Sequence, residues 1–387
     1  MKLPIDLKAV IEAATDIESA RSTPVSVSVL IDDSAPGDVA AHVRSAFVGA
    51  GAHARVTVGY FAGPAFSPYE GDDMAVIVAG FSEEVGRRAA EIRAAGVPVM
   101  VVTSMPSLVA DMASAYGNPI PEGDLVAPEG VEGCEADGDA ACASGEVAGA
   151  HVSVFAGIRA AKSAGAGAAA RFAGAVASSP DVLDAPIPID AAAACALDRR
   201  MGEWVVAACR EKRLALALSF PFVRKPLSLE AVSATSLQNA GIGLVLFIPG
   251  ADMPLMTLNQ AKMLLQIAAA YGEPMSAARV KELAAIVAGG FACRSVARHV
   301  AGAVPAIGWA VKAGVGYAGT KAMGLAAVEY FERGGNIAGL AGVVSSATAK
   351  ATQIAGDVAA TPAGARVLST VKTAVRQGAA SVLKKTE

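Results

Sequence analysis

Three short aliphatic runs, VSVSVLI (Val25–Ile31), MAVIV (Met74–Val78) and VPVMVV (Val97–Val102), constrain this chain more than any other feature. Each is short and bounded by Pro, Gly or acid, and reads as a strand. The first is rich in β-branched residues, and MAVIV is apolar on both faces, as a buried parallel strand should be. Asp38–Val48 and Phe81–Ala95 lie between them and carry helical patterns. Ser82 is the expected N-cap of the second, Glu83 and Glu84 lie in its first turn, and Gly96 is its C′ stop. Arg55–Phe61 adds a further strand. This βα alternation predicts a small, mainly parallel α/β sandwich over about residues 24–116. A helix over Leu7–Ala20 precedes it, with Leu7, Val10, Ile11, Ala14 and Ile17 at helical spacing, giving an expected α/β domain over residues 1–116.

After Gly117 the pattern fails. Residues 117–150 are rich in Gly, Pro and acid and read as a flexible acidic linker or insertion. Residues 151–197 form an Ala-rich connecting segment. From Asp198 the chain reads as helices: Asp198–Phe220, Ser228–Leu246, Thr257–Tyr271, a stretch from Ser276 to Val300, and Pro305–Arg333, stopped by Gly334-Gly335. In Thr257–Tyr271, Leu258, Ala261, Leu265 and Ala268 share one face, while Asn259, Lys262 and Gln266 point away. The expected architecture is therefore α/β plus all-α: the sheet domain, a helical module over 198–335, and a basic amphipathic helical tail over 336–387.

The helical half packs through small residues. Hydrophobic residues make up 53% of the chain and aromatics only 5%, with 40 glycines, so closely approaching helices are expected in place of an aromatic core. Gly308, Gly316 and Gly324, with Lys312 and Thr320, form one ridge; Gly314, Ala318, Ala322 and Ala326 form its neighbour. Small residues four apart let helices approach closely, in a soluble bundle or in a bilayer. A spanning helix needs about 20 apolar residues. Val300–Ala318 nearly qualifies, but Pro305 and Lys312 interrupt it, and Pro249 and Asp252 break Leu244–Leu258.

The run QNAGIGLVLFIPGADMPLMTLNQAKMLLQIAAAYG (Gln238–Gly272) resembles the signature of the family catalogued as domain of unknown function 697. The matching positions are Pro249, Gly250, Ala251, Asp252, Thr257, Gln260, Met263, Ile267, Tyr271 and Gly272. The later run GWAVKAGVGYAGTKAMGLAAVEYFERG is similar to that family's closing helix. Together the likeness covers about a third of the chain. It implies a helical module attached to, or found beside, Era-like GTPase domains and assigned to the membrane, and it brings no catalytic residues. A GTPase is therefore the implied protein partner. By its own chemistry the PGAD stretch reads as a helix-to-helix corner: Pro249 ends a helix, Gly250 takes unusual backbone angles, and Asp252 bonds nearby N–H groups.

The α/β part lacks the residues of nucleotide chemistry. A P-loop needs G-x-x-x-x-G-K-[ST] between a strand and a helix. Here DDSAPGDVAAHV follows the first strand, with no Lys and with Asp32, Asp33 and Asp38 where phosphates would lie. Thr103-Ser104-Met105-Pro106 stands where a GTPase reads guanine. The part resembles a degenerate GTPase-like or Rossmann-like sheet, or is an unrelated α/β domain. GVGYAGTK (Gly314–Lys321) falls inside a helical pattern and reads as packing.

Asp32, Asp33, Ser34, Thr103 and Ser104 are the candidate binding residues, because ligands of open α/β sheets bind at strand C-termini. The pair Asp72-Asp73 reads as a solvated turn. Cys134 and Cys142 fit no zinc spacing, the four histidines are scattered, and no metal or other cofactor is expected. Five cysteines with no CxxC, and a first stretch without an apolar signal core, lead to the expectation of a cytoplasmic chain. A net charge of −4 argues against nucleic acid. Residues 362–387, with Arg366, Lys372, Arg376, Lys384 and Lys385 beside Val367, Leu368, Val371, Val375, Val382 and Leu383, suit an anionic surface of the inner membrane, a partner, or water. The expected function is a non-enzymatic binding, assembly or regulatory protein, self-association included; the alternative is a nucleotide or small-molecule binder, or an enzyme, working at the strand ends.

Overall fold

The computed structural model describes residues 7–62, 71–128, 186–245, 252–274, 308–335 and 342. The elements of its first half are α1 (Leu7–Arg21), β1 (Val25–Ile31), α2 (Gly37–Val48), β2 (Ala54–Tyr60), β3 (Met74–Val78), α3 (Glu84–Ala94), β4 (Val99–Val102), α4 (Pro106–Ala115) and β5 (Leu125–Val126). Helices α5 (Ala191–Ala208), α6 (Arg213–Ser219), α7 (Pro221–Val245), α8 (Asp252–Ala270) and α9 (Gly308–Glu332) follow. The chain divides into two compact units, Thr23–Val223 and Met1–Ser22 with Arg224–Glu387. The α/β plus all-α architecture is present.

In the α/β unit all strand pairs are parallel and the sheet order is β2-β1-β3-β4-β5. The three central strands, β1, β3 and β4, alternate their side chains between two layers, while β2 is a half-exposed edge. Leu30, Ala75, Ile77, Val99 and Val101 pack with Val85, Ala89 and Ile92 of α3 and Val109 of α4. The alternate residues, Val27, Val29, Val76 and Val78, face the opposite layer, where α2 contacts β3 and buries Val39, Val43 and Phe47. Phe47 meets Phe220 and Phe222 edge to face at centroid distances of 5.0 and 5.2 Å.

The unit boundaries differ from those expected at 116 and 198, and the reason is visible in the bonding. The segment read as linker contributes β5, whose Leu125 and Val126 align with Val101 and Val102 of β4. Helix α5 then returns to the sheet. Asp190 caps it by accepting from Ala193 N at 2.8 Å, Asp38 Oδ2 accepts from Ile189 N at 3.1 Å, and Arg200 Nη1 donates to Ala127 O at 3.1 Å. The expected single helix Asp198–Phe220 starts earlier and breaks between Ala208 and Arg213. There Lys212 Nζ reaches Asp73 Oδ1 at 2.7 Å and Pro24 O at 3.1 Å. Helix α1, expected in the sheet domain, belongs instead to the helical unit, where Arg21 donates to Glu273 O at 2.5 Å and Gly272 O at 3.3 Å, capping the end of α8.

The helical unit is built on close approach. A Cβ on Gly324 of α9 would lie within 3.0 Å of both Cγ atoms of Val232 on α7. Gly324→Val is expected to lower stability by about 1–3 kcal/mol through overpacking. Val232→Ala in the same chain is expected to recover much of that loss in urea unfolding; no recovery would mean the two helices do not meet there. Among the described residues no helix is long and apolar enough to cross a membrane. The stretch Ser276–Val300, the tail over 362–387, Pro249, Gly250, Cys134 and Cys142 lie outside the described residues.

Candidate functional site

The order 2-1-3-4-5 is one of the two common doubly wound arrangements, and its ligand crevice opens at the switch point between the C-terminal ends of β1 and β3. The other arrangement, in which β1 lies between β2 and β4, is the Rossmann order; the expectation of a Rossmann-like sheet is corrected to this extent.

At the switch point the structure brings Asp32, Asp33 and Ser34 together, and each is already bonded to the protein. Asp32 is 3% exposed. Its Oδ1 accepts from Ser34 N at 3.0 Å and Ser34 Oγ at 2.9 Å. Its Oδ2 accepts from Gly80 N at 2.9 Å and Ser82 N at 3.2 Å. Ser34 Oγ in turn accepts from Phe81 N at 2.7 Å, and Asp33 Oδ2 accepts from Ala62 N at 2.7 Å. A carboxylate has about four acceptor positions, so Asp32 is saturated. The turn after β1 is thereby laced to the turn after β3. The two backbones also touch: a Cβ on Gly80 would fall within 3.0 Å of the Ser34 carbonyl and of Ala35 N.

Thr103 and Ser104 lie one strand beyond β3, at the end of β4. Both are buried. Thr103 Oγ1 accepts from Met105 N at 3.1 Å, and Ser104 O accepts from Ile187 N at 3.2 Å. The Ser104 hydroxyl has no hydrogen-bond partner. The residues that sequence reasoning missed are Gly80, Phe81 and Ser82. Their signal was a glycine directly after a fully buried strand, a place where another backbone approaches closely.

At the opposite end of the sheet, the reading of Asp72-Asp73 as a solvated turn is overturned. Asp72 is 8% exposed and accepts from Ser26 Oγ at 2.7 Å and Ser28 Oγ at 2.5 Å. Asp73 accepts from Ser26 N at 2.9 Å and pairs with Lys212. These serines point to the α3 side of β1, and the carboxylate supplies the acceptors that an apolar layer cannot. Beside them the buried Cys209 thiol donates to Asp73 O at 3.8 Å, and burial pushes its pKa up to about 12.

Two helices of this unit meet through a titratable pair, His42 Nε2 and Asp198 Oδ1 at 2.7 Å. The Asp198 hydrogen bond raises the His42 pKa, burial opposes that shift, and the Asp198 charge adds to it. The stabilisation is therefore fully present below the ordinary histidine value near ~6.5 and is lost as pH rises through the raised one. Asp198→Asn is expected to cost more at about pH 5.5 than at about pH 8.5, by under about 1 kcal/mol because the pair is partly exposed. Equal losses in urea midpoint at both pH values would mean that the pair is not charged.

In the helical unit Gln260 is 1% exposed, and its Nε2 donates to Thr320 Oγ1 at 2.8 Å. Tyr271 stacks on Phe331 at 5.9 Å, and burial raises its pKa. Both are packing residues here. Asp252 is the first residue of α8, and the residues of the expected corner before it lie outside the described residues. No group of three metal-ligating side chains occurs among the described residues.

The fold and its strand ends thus define the class: a doubly wound α/β unit with a laced switch point, joined to an Ala/Gly-rich helical unit. Comparison with protein-family models, curated proteins and solved structures gave no match for the chain.

Proposed function

We propose that this is a non-enzymatic binding, assembly or regulatory protein whose α/β unit serves as a recognition scaffold. The observation that carries this reading is the four hydrogen bonds taken by the Asp32 carboxylate. The acceptor best placed to meet a ligand at the switch point is committed to the protein's own backbone. Opening that crevice would orphan buried N–H groups at about 1–3 kcal/mol each. On the likeness of Gln238–Gly272 to the unknown-function family, the partner is a GTPase, and the basic tail adds an anionic membrane surface. Titration of the purified protein with GTP, GDP and ATP, with and without Mg²⁺, tests the reading. No heat of binding and no thermal shift is expected; saturable micromolar binding that Asp32→Asn abolishes would overturn it.

A second reading, a small-molecule binder at the strand ends, draws on the unpartnered Ser104 hydroxyl. A ligand donating to or accepting from that group would satisfy it. Stabilisation of the wild type by a small acid or nucleoside, lost in Ser104→Ala, would favour this reading over the first.

A further inference from the structure

Among its described side chains, helix α8 buries Met256, Thr257, Gln260, Ala261, Met263, Leu264, Leu265, Ile267, Ala268, Ala269 and Ala270, and leaves a narrow strip at Leu255 and Gln266 exposed. At about 100° per residue those buried positions cover some three quarters of its circumference. Burial alone therefore fixes its rotation loosely. Lys262 and Gln266 have long stems that reach water over a wide range of settings.

Four polar side chains interrupt this apolar surface, and they come from three helices. Asn239 of α7 donates through Nδ2 to Thr320 Oγ1 of α9 at 3.0 Å and to Met256 O of α8 at 3.3 Å. Gln260 of α8 donates to the same Thr320 hydroxyl at 2.8 Å. Asn259 of α8 donates to Asn239 Oδ1 at 3.1 Å. Asn239 and Thr320 are fully buried. Turning α8 in either direction carries the Gln260 amide off its partner and into aliphatic surroundings, where an unpaired amide is strongly penalised; the Asn259 amide loses Asn239 as well.

We propose that the Asn239–Asn259–Gln260–Thr320 network selects the rotational setting of α8, and so decides that Leu255 and Gln266 are the positions that face outward. Buried polar groups that fix helix geometry, at some expense of stability, are the best attested use of such networks.

The test is distance measurement by pulsed electron resonance in the full chain with its native cysteines replaced. Spin labels are placed by Leu255→Cys on α8 with Leu237→Cys on α7, and separately with Leu325→Cys on α9, all exposed positions. The parent is expected to give one narrow distribution for each pair. Combining Gln260→Leu, Asn239→Leu and Thr320→Val is expected to keep the helical circular dichroism and to broaden or split both distributions. A turn of some 50° on a helix ~10–12 Å across moves the label by about 5 Å. The near-isosteric Thr320→Val alone removes the shared acceptor and is expected to broaden them as well, which keeps the test open should the triple variant fail to fold. Thr320→Ser keeps the acceptor and the parent widths. Parent-width distributions in Thr320→Val, or broadening in Thr320→Ser, would overturn the proposal.

Discussion

Asp32→Ala is expected to destabilise the α/β unit by about 3–5 kcal/mol, the largest effect of any polar substitution in it. The residue accepts three backbone N–H groups and one hydroxyl, from Ser34, Gly80 and Ser82. Hydrogen bonds to a charged group contribute about 1.5–3 kcal/mol each, and each orphaned buried donor costs about 1–3 kcal/mol. These terms overlap, because the loops relax together and the Ser34 and Ser82 amides are only partly buried, so the sum stays well below the arithmetic maximum. Set against a typical total of 5–15 kcal/mol, the loss removes a large share of what holds the unit folded. Asp32→Asn keeps one carbonyl oxygen but turns an NH2 group towards two N–H donors, and about 2 kcal/mol is expected. Urea unfolding followed through Trp204, which lies in the same unit and donates to Asp124 Oδ1 at 3.4 Å, reads both variants. An unchanged midpoint in Asp32→Ala would mean that the lacing between the two turns does not form in solution.

Gly80→Ala is the second large effect, and it arises from sterics alone. The added methyl would lie within 3.0 Å of the Ser34 carbonyl and Ala35 N, which are backbone atoms and cannot rotate aside. Overpacking costs about 1–3 kcal/mol when flexible side chains can yield, and here the upper end, about 3 kcal/mol, is expected. Gly80 is not among the glycines with positive φ, so no conformational penalty contributes. In a site with room, the same substitution would stabilise by about 0.4–1 kcal/mol through the unfolded chain. Gly37→Ala supplies that contrast: nothing lies within 4 Å of its added methyl, at the first residue of α2. Opposite shifts in thermal midpoint for the two variants are expected. Equal shifts would remove the close approach of the β1 and β3 turns.

The legibility of the sequence followed from what each segment buries. β3 and β4 were readable because strands covered on both faces leave an uninterrupted aliphatic run, and β1 because it is rich in β-branched residues. β5 was not, because two residues, Leu125 and Val126, cannot establish a period. The role of α5 in docking on the sheet was missed for a related reason: it rests on scattered partners such as Asp38, Ala127 and His42, which only topology brings together. Asp32, Asp33 and Ser34 were legible as a strand-end group, since acids after a buried strand must be placed somewhere. That they bond to each other's turns was not, because the partners are backbone N–H groups and leave no residue-type signature. Asn259 was expected to point away from its helix's core; with Asn239 as its partner, the amide turns inward. Gln260 was singled out by the family likeness and Thr320 by its place on the small-residue ridge, but nothing in a single sequence pairs positions 60 residues apart.

The chain order of the two units has a temporal consequence. Arg21 of α1 finds its acceptor 252 residues later, at Glu273, and the whole α/β unit is encoded in between. At roughly 5–20 residues per second, a ribosome needs about 13–50 s to deliver that partner. Val10, Ala14 and Ile17, buried in the finished molecule, emerge before α8 and lack its cover for that whole interval, while the sheet behind them can already fold. Helix α1 is thus an amphipathic helix made well ahead of its cover, and the helical unit is a late assembly whose yield will depend on what shelters those three residues during synthesis.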